Sequence, residues 1–383
     1  MRSSLVLLVL LSACTGSVTT DGGLTDSGTT VETDAGTDAG LDAGVNLTHP
    51  SWRRDAGFLT WTEIPNTSGA GGAAVDAWGA LAENKATGEL YIAASGGHSD
   101  SADNRVVSLS LMNESPSWVL RRASSTSFQT DVLYYADGLP TSRHLYHHLH
   151  YLPARNAVLL GGCRYGYGGG TPTGPGMDAF DLTNNEWLPR MTFADITPFR
   201  AYVVEIDGQG RAWTTAGDRF DPATNLWSTP GTGPGLGRFP HAFAPGRNLI
   251  FSLQFGDGQG YDQNLGVVAR KLDTQTGNSV NITINPSAAL TEFIAAKPTY
   301  AGMDYDAAND RFLFIAAEET GKVYVITPND TTSWDMSVLT TTGLPPVTPG
   351  SGVNKRFRYL PTLGGFVLLT RRTDNLWFLP TSP

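Results

Sequence analysis

The stretch that decides the fold runs from residue 144 to 187: HLYHHLHYLP (144–153), NAVLLGGC (156–163) and MDAFDLTNNEW (177–187). Each piece is a short run with β-forming residues, bounded by Pro, Asn or Gly, and a tryptophan closes the set. The same order recurs on both sides. Towards the N-terminus AWGALAEN (77–84), GELYIAASGGH (88–98) and RVVSLSL (105–111) precede Trp118. Towards the C-terminus RAYVVEID, GRAWTTAG and DRFDPATN (200–225) precede Trp227, and FPHAFAPG, RNLIFSLQFG and GVVARKLDTQTG (239–277) precede Val280. TYAGMDYDA, DRFLFIAAEE and KVYVITPND (299–330) then precede Trp334, whereas KRFRYLPTL, GGFVLLTRR and DNLWFLP (355–380) have no fourth segment after them. From Trp118 to Trp334 there are 216 residues and four units, a mean of 54.

A period of that size, with no helical pattern between the strands, predicts an all-β fold: one propeller of about six or seven four-stranded blades. The incomplete last unit has a candidate partner in FLTWTEIP (58–65), so the ring is expected to close by pairing the two termini, which removes free sheet edges. Composition agrees, since 44 Gly and 23 Pro among 383 residues, with only 16% charged, suit short strands and tight turns. The balance of 26 Lys and Arg against 36 Asp and Glu gives a net charge of -10, which excludes a basic field for nucleic acid.

Met1 to Ser4 form a short basic start, and Leu5 to Leu11 an apolar run too short to cross a bilayer. The next residues, Leu11-Ser12-Ala13-Cys14, resemble the bacterial lipobox, which implies a signal peptide over 1–13, lipid on Cys14 and, with no Asp after it, attachment to the outer membrane. Residues 14–48 are rich in Thr, Gly, Ala and Asp, contain six acids and no base, and read as a solvated tether; 49–383 is the folded region. Cys163 is then left without a partner inside the chain, so disulfides do not hold this fold.

The double glycines Gly96-Gly97 and Gly161-Gly162, ending second strands, and the tryptophan ending most units resemble the kelch and galactose-oxidase-type propellers. That resemblance implies that each first strand starts at a top rim near the axis, where the second-to-third-strand loops also lie. On this map Arg143, His144 and Tyr146 stand at the top opening, with strand alternation placing His144, Tyr146, His148 and His150 on one side. His98, Asp100, Asp103 and Asn104 follow the first glycine pair, Arg164, Tyr165 and Tyr167 the second; His241, Tyr300, Arg356, Arg358 and Tyr359 open later units. Contributions from several units to one mouth are what a propeller-face site requires.

Tyr faces pack on sugar rings and Arg forks hold carboxylates, so the sequence points to a polysaccharide, or alternatively a surface protein, bound by a monomer. The first expectation is a non-catalytic binding module. The second is a polysaccharide lyase acting on a uronate, with His144 or His98 as base, Tyr146 or Tyr300 as acid, and Arg143 or Arg358 as carboxylate clamp; His241, Tyr359, Arg164 and Tyr165 would complete the substrate contacts. A copper-radical oxidase is disfavoured, because in that family the cross-linked cysteine opens a blade and Cys163 does not. No cofactor is expected, with calcium on Asp100, Asp103 and Asn104 as the weaker reading.

Replacing Cys14 by Ser is expected to move the protein from the membrane fraction to the soluble fraction without changing its melting temperature. Fractionation and intact-mass measurement of the wild type decide it; an uncleaved Met1 or an unmodified thiol contradicts the lipid anchor.

Overall fold

The computed structural model describes residues 49–76, 78–97, 101–161, 167–168, 177–193, 203–231, 233, 239–255, 266–296, 300–316, 322–343, 348–349 and 351–382. The chain divides into two units, 1–45 and 46–383, and the architecture below is that of the second.

The strands follow the repeat. After α1 (Ser51–Arg54) and β1 (Thr62–Glu63), the first unit is β2 (Ala82–Asn84), β3 (Glu89–Ala93), β4 (Val106–Ser110) and β5 (Trp118–Arg122). The second is β6 (Leu149–Leu152), β7 (Ala157–Gly161), β8 (Met177–Asp181) and β9 (Glu186–Trp187), and the third β10 (Val203–Ile206), β11 (Ala212–Thr214), β12 (Arg219–Asp221) and β13 (Leu226–Ser228). The fourth is β14 (His241–Ala244), β15 (Leu249–Gln254), β16 (Val268–Asp273) and β17 (Ser279–Ile284). After α2 (Ala288–Ala295), the fifth is β18 (Gly302–Asp306), β19 (Arg311–Ile315), β20 (Val323–Thr327) and β21 (Ser333–Leu339). The last is β22 (Phe357–Leu360), β23 (Gly365–Leu368) and β24 (Trp377–Pro380).

Within each unit the strands pair antiparallel in sequence order, giving four-stranded sheets consistent with a propeller. The last sheet takes its fourth strand from the other end of the folded region: β1 lies antiparallel to β24, with Thr62 opposite Phe378 and Glu63 opposite Trp377. The fourth and fifth units also join at their outer strands, β17 running parallel to β21 with Ile284 opposite Trp334, so two sheets become one of eight strands. Each tryptophan of the repeat lies in, or for Trp61 one residue before, the outermost strand of its sheet.

Neighbouring sheets pack against one another. Phe251 of β15 meets Phe312 and Trp334 of the fifth unit at ring-centroid distances of 4.8 and 5.0 Å. Leu109 and Ile92 share a buried cluster with Val367 and Phe378 of the last sheet. Each fully buried side chain of this size contributes roughly 1.5–3 kcal/mol relative to exposure, and every sheet needs its neighbours to collect that gain. The glycines at the ends of β7 and near the end of β3 permit the contact. A Cβ on Gly161 would stand 2.5 Å from the Cβ of Val203, and one on Gly97 would stand 2.4 Å from the Cα of Arg143.

Two expectations are corrected. The chain is not free of helix: α2 is capped by Ser287, whose hydroxyl accepts the amide of Leu290 at 3.1 Å, and it buries Phe293 against Phe255, Phe314 and Tyr324. Strand alternation also does not run through residues 143–148. The second unit's first strand starts only at Leu149, after a turn in which His148 donates its amide to Leu145 and Tyr146 takes a left-handed φ of 46°.

Deleting residues 56–66 removes β1, fully buried Ile64 and nearly buried Trp61, and uncovers the edge of β24. Loss of a buried Trp alone costs about 3–5 kcal/mol. This truncation should therefore lower the melting temperature by well over ten degrees, as about 1 kcal/mol already shifts a domain by a few degrees. Deleting 15–48 should leave it nearly unchanged, and equal melting temperatures for the two truncations contradict a structural role for β1.

Candidate functional site: an aromatic mouth above a buried charge cluster

The first strands of the units lie side by side, and their polar side chains meet in a buried cluster. Arg358 of β22 donates to Glu83 of β2 at 2.6 Å and lies 3.3 Å from Asp304 of β18 and 3.5 Å from Glu205 of β10. Lys355, just before β22, reaches Glu205 at 3.2 Å and donates to Nδ1 of His150 at 2.8 Å. Lys85 donates to Asp304 at 2.8 Å. Three carboxylates from three units are thus matched by three cations. The backbone adds a link across the same junction, where Leu81 donates its amide to the Lys355 carbonyl at 3.2 Å.

Electrostatics follows this geometry. Burial pushes the Glu205 carboxyl up, but Lys355 and Arg358 outweigh it and hold the group well below the usual carboxylate range. For Arg358 burial works against the charge, and Asp304, Glu83 and Glu205 more than restore it. Lys355 is lowered, chiefly by burial. His150 donates from Nε2 to the Val203 carbonyl at 3.0 Å while Nδ1 accepts from Lys355, which describes a neutral ring. His148 donates from Nδ1 to the same carbonyl at 2.9 Å. Burial is the main cause that lowers His147, His148 and His150, with His148 brought to about 3.

At the end where the first strands begin, aromatic rings from three units gather. Trp78 and Tyr300 are half-buried, Tyr146 and His144 buried. The His144 ring lies 4.3 Å from Trp78 and 5.3 Å from Tyr146, and Tyr146 stacks on Tyr300 at 6.5 Å with planes 30° apart. Trp78 stands edge-on to Tyr300, at 6.2 Å and 79°. All three large residues hold left-handed φ values: 54° for Trp78, 46° for Tyr146 and 39° for Tyr300. Such a backbone costs a bulky residue on the order of 1–3 kcal/mol and persists only where surrounding contacts impose it. Those contacts repeat: the Trp78 carbonyl accepts the amides of Leu145 and Tyr146, and the Tyr300 carbonyl those of Val353 and Asn354.

The sequence-predicted residues divide accordingly. His144, Tyr146 and Tyr300 do come together. Arg143 does not serve as a clamp towards solvent: it is fully buried and donates to Asp178 at 2.6 Å. Arg358, 1% exposed, is committed to the carboxylates described above. His241 is buried, accepts or donates at Nδ1 with Ser252 at 2.6 Å, and meets His147 edge-on at 6.1 Å. Tyr359 packs between the fifth and last sheets with Phe366, and burial pushes its hydroxyl up to about 12. The calcium reading fails at two of its three residues, because Asp103 pairs with Arg105, while Asn104 Oδ1 already accepts from Ser124 at 2.9 Å and Ser125 at 2.8 Å. Cys14, His98, Asp100, Cys163, Arg164 and Tyr165 lie outside the described residues.

Sequence reasoning missed Trp78, although it sits just before Gly79 at the start of the first unit. It also missed Glu83, Glu205, Asp304 and Lys355, whose signal was a charge placed in or next to a first strand otherwise apolar. A cleft of about 610 Å³ opens at the other end of the strands, beside Arg247, Lys271, Tyr305 and Asp330. Its Arg247 is already held by Asp310 through two hydrogen bonds.

No protein-family model matches the chain, and no curated protein matches it. Solved structures do resemble it in fold. PorZ, a bacterial surface component of the type-IX secretion system of Porphyromonas gingivalis, is 13% identical with a TM-score of 0.35; the match covers 74% of this chain but only 30% of that one. A luciferin-regenerating enzyme is 11% identical with a TM-score of 0.43, covering 84% of this chain and 95% of that one. Regucalcin of Agrobacterium tumefaciens, a calcium-binding protein, is 10% identical with a TM-score of 0.45, covering 80% and 90%. These neighbours are propeller-like β-sheet proteins.

A histidine kept neutral by burial binds fewer protons folded than unfolded, so its contribution is complete above the ordinary value of 6.5 and is lost as pH falls towards its folded value. Stability should therefore begin to fall below about pH 6.5, earlier than carboxylates alone would cause. Thermal melts of the wild type and of His148→Gln between pH 7 and 4 test this. The variant should lose less of its own stability over that range, and parallel curves contradict the assignment.

Proposed function

We propose that the folded region is a six-bladed, kelch-like propeller closed by the pairing of β1 with β24, tethered through lipid on Cys14 to the bacterial outer membrane. Its role on this reading is to bind a surface glycan, without catalysis, at the mouth formed by Trp78, His144, Tyr146 and Tyr300. The observation that carries the proposal is the convergence of three aromatic residues in strained backbone conformations from three units onto one place. Folding by itself favours relaxed residues at such positions, whereas ligand sites retain strain when it presents a useful surface. Aromatic rings bring large, rigid contact area to that surface.

The lyase reading loses its support in the same geometry. Proton abstraction beside a carboxylate needs that carboxylate neutralised, and the two arginines nominated for the task are bound to internal acids. A protein partner remains an outcome of the test rather than the favoured ligand.

Full-length protein in mild detergent, passed over beads coated with a panel of plant and microbial polysaccharides, should be retained on at least one coating. Tyr300→Ala should weaken that retention about tenfold while the melting temperature moves by only a few degrees. No unsaturated ends should form from uronate polymers. Retention equal to wild type in Tyr300→Ala places binding elsewhere, and ultraviolet-absorbing products establish a lyase.

A further inference from the structure

We infer that the mouth takes an uncharged saccharide ring, seated in the right-angled corner between Trp78 and Tyr300. The inference rests on the glycan-binding proposal and narrows it to one substrate class. Two half-buried rings at 79° give a floor and a wall. Behind them His144 lies against Trp78 and Tyr146 against Tyr300, both buried, so the two half-buried rings are backed on the protein side. Rings held in this way need little ordering when a ligand arrives. A pyranose presents C–H groups on its faces and hydroxyls on its edges, which matches an aromatic floor by dispersion and leaves the edges to water or backbone.

Charge decides the class. The segments that build the corner contain four cations among their described residues, Arg143, Lys355, Arg356 and Arg358, and all are at most 2% exposed. Arg143 holds Asp178, Lys355 holds His150 and Glu205, and Arg358 holds Glu83. Arg356 donates to the Thr370 carbonyl at 2.8 Å and to the Gly352 carbonyl. Turning any of the three that pair with acids outwards to a ligand carboxylate or sulfate would leave a buried acid without its counter-ion, which is strongly unfavourable. The exposed acid nearest in sequence, Asp76, is itself bound by Arg372, through its amide at 2.9 Å and its guanidinium at 3.6 Å. Among the described residues of these segments, an anionic polymer thus meets no cation that is not already held inside the protein, and the exposed Arg372 beside them is shared with Asp76, while a neutral ring disturbs none of these pairs.

Native affinity electrophoresis of the full chain in mild detergent tests the inference, with gels containing galactomannan, mixed-linkage β-glucan or xylan, and parallel gels containing polygalacturonate, alginate or heparin. At least one neutral polymer should retard the protein, unchanged at about 0.5 M NaCl, where exposed charge contacts are screened. Trp78→Ala should reduce that retardation about tenfold and Trp78→Phe should restore part of it. Where Trp78→Ala fails to fold by its melting profile, Tyr300→Ala provides the same reading. Retardation confined to the acidic polymers and removed by salt overturns the uncharged class but leaves glycan binding standing. Retardation by none of the six overturns both, as does retardation that neither substitution alters.

Discussion

The constraint on which the rest depends is the need to bury charge at the meeting of the first strands without leaving any of it unmatched. Glu83, Glu205 and Asp304 come from three units, and they are answered by Lys355 and Arg358 of the last unit and by Lys85 of the first. Taking one member away would leave an uncompensated buried charge, a loss of about 3–5 kcal/mol, although the intact cluster adds little net stability over an apolar packing of equal volume. Its effect is therefore on arrangement. A sheet that slipped or left its place would separate Arg358 from Glu83 or Lys355 from Glu205, so the pairs favour one order and register of units over compact alternatives.

Close approach of neighbouring units is the second condition. Gly161 stands where a methyl group would strike Val203, and because Val203 comes that near, its carbonyl can accept from both His148 and His150. His150 then offers its remaining nitrogen to Lys355, so a glycine at a strand end and a charge in the buried cluster belong to one chain of contacts. The same tight junctions produce the strained aromatic residues. The carbonyls of Trp78 and Tyr300 each accept two successive amides from the following unit, which imposes the left-handed turns at Tyr146 and Asn354. Interior satisfaction of polar groups and presentation of the mouth are in this sense one structural problem.

The functional reading follows from the division of labour between those layers. Cations sit below, turned inwards to acids or, for Arg356, to backbone carbonyls, and the half-buried rings of Trp78 and Tyr300 sit at the strand starts. Such a site offers area and shape rather than charge. On the reading proposed above it is a site for ring faces rather than for acid–base chemistry on a carboxylate, with the His144 and Tyr146 side chains as part of the platform.

From sequence alone came the number of strands per unit, the tryptophan of the outermost strand and the pairing of residues near Trp61 with the last unit, because these are local patterns of alternation, turn residues and period. The gathering of His144, Tyr146 and Tyr300 was legible too, since each stands at the start of a unit. The direction in which side chains at those starts point was not. Arg143 and Arg358 carry no local mark that separates an internal ion pair from a clamp for substrate; the carboxylates that claim them, Asp178 at a distance of 35 residues and Glu83 at 275, are brought near only by the tertiary fold. Alternation failed over residues 143–148 for a related reason: the hydrogen bonds that bend the chain at Tyr146 come from Trp78, 68 residues earlier, and no local propensity contains a bond whose acceptor belongs to another unit. Local periodicity determined the strands, and the demand that buried charges find partners distant in the chain, in the same unit for Arg143 and in other units for Arg358 and Lys355, decided which polar residues face inwards.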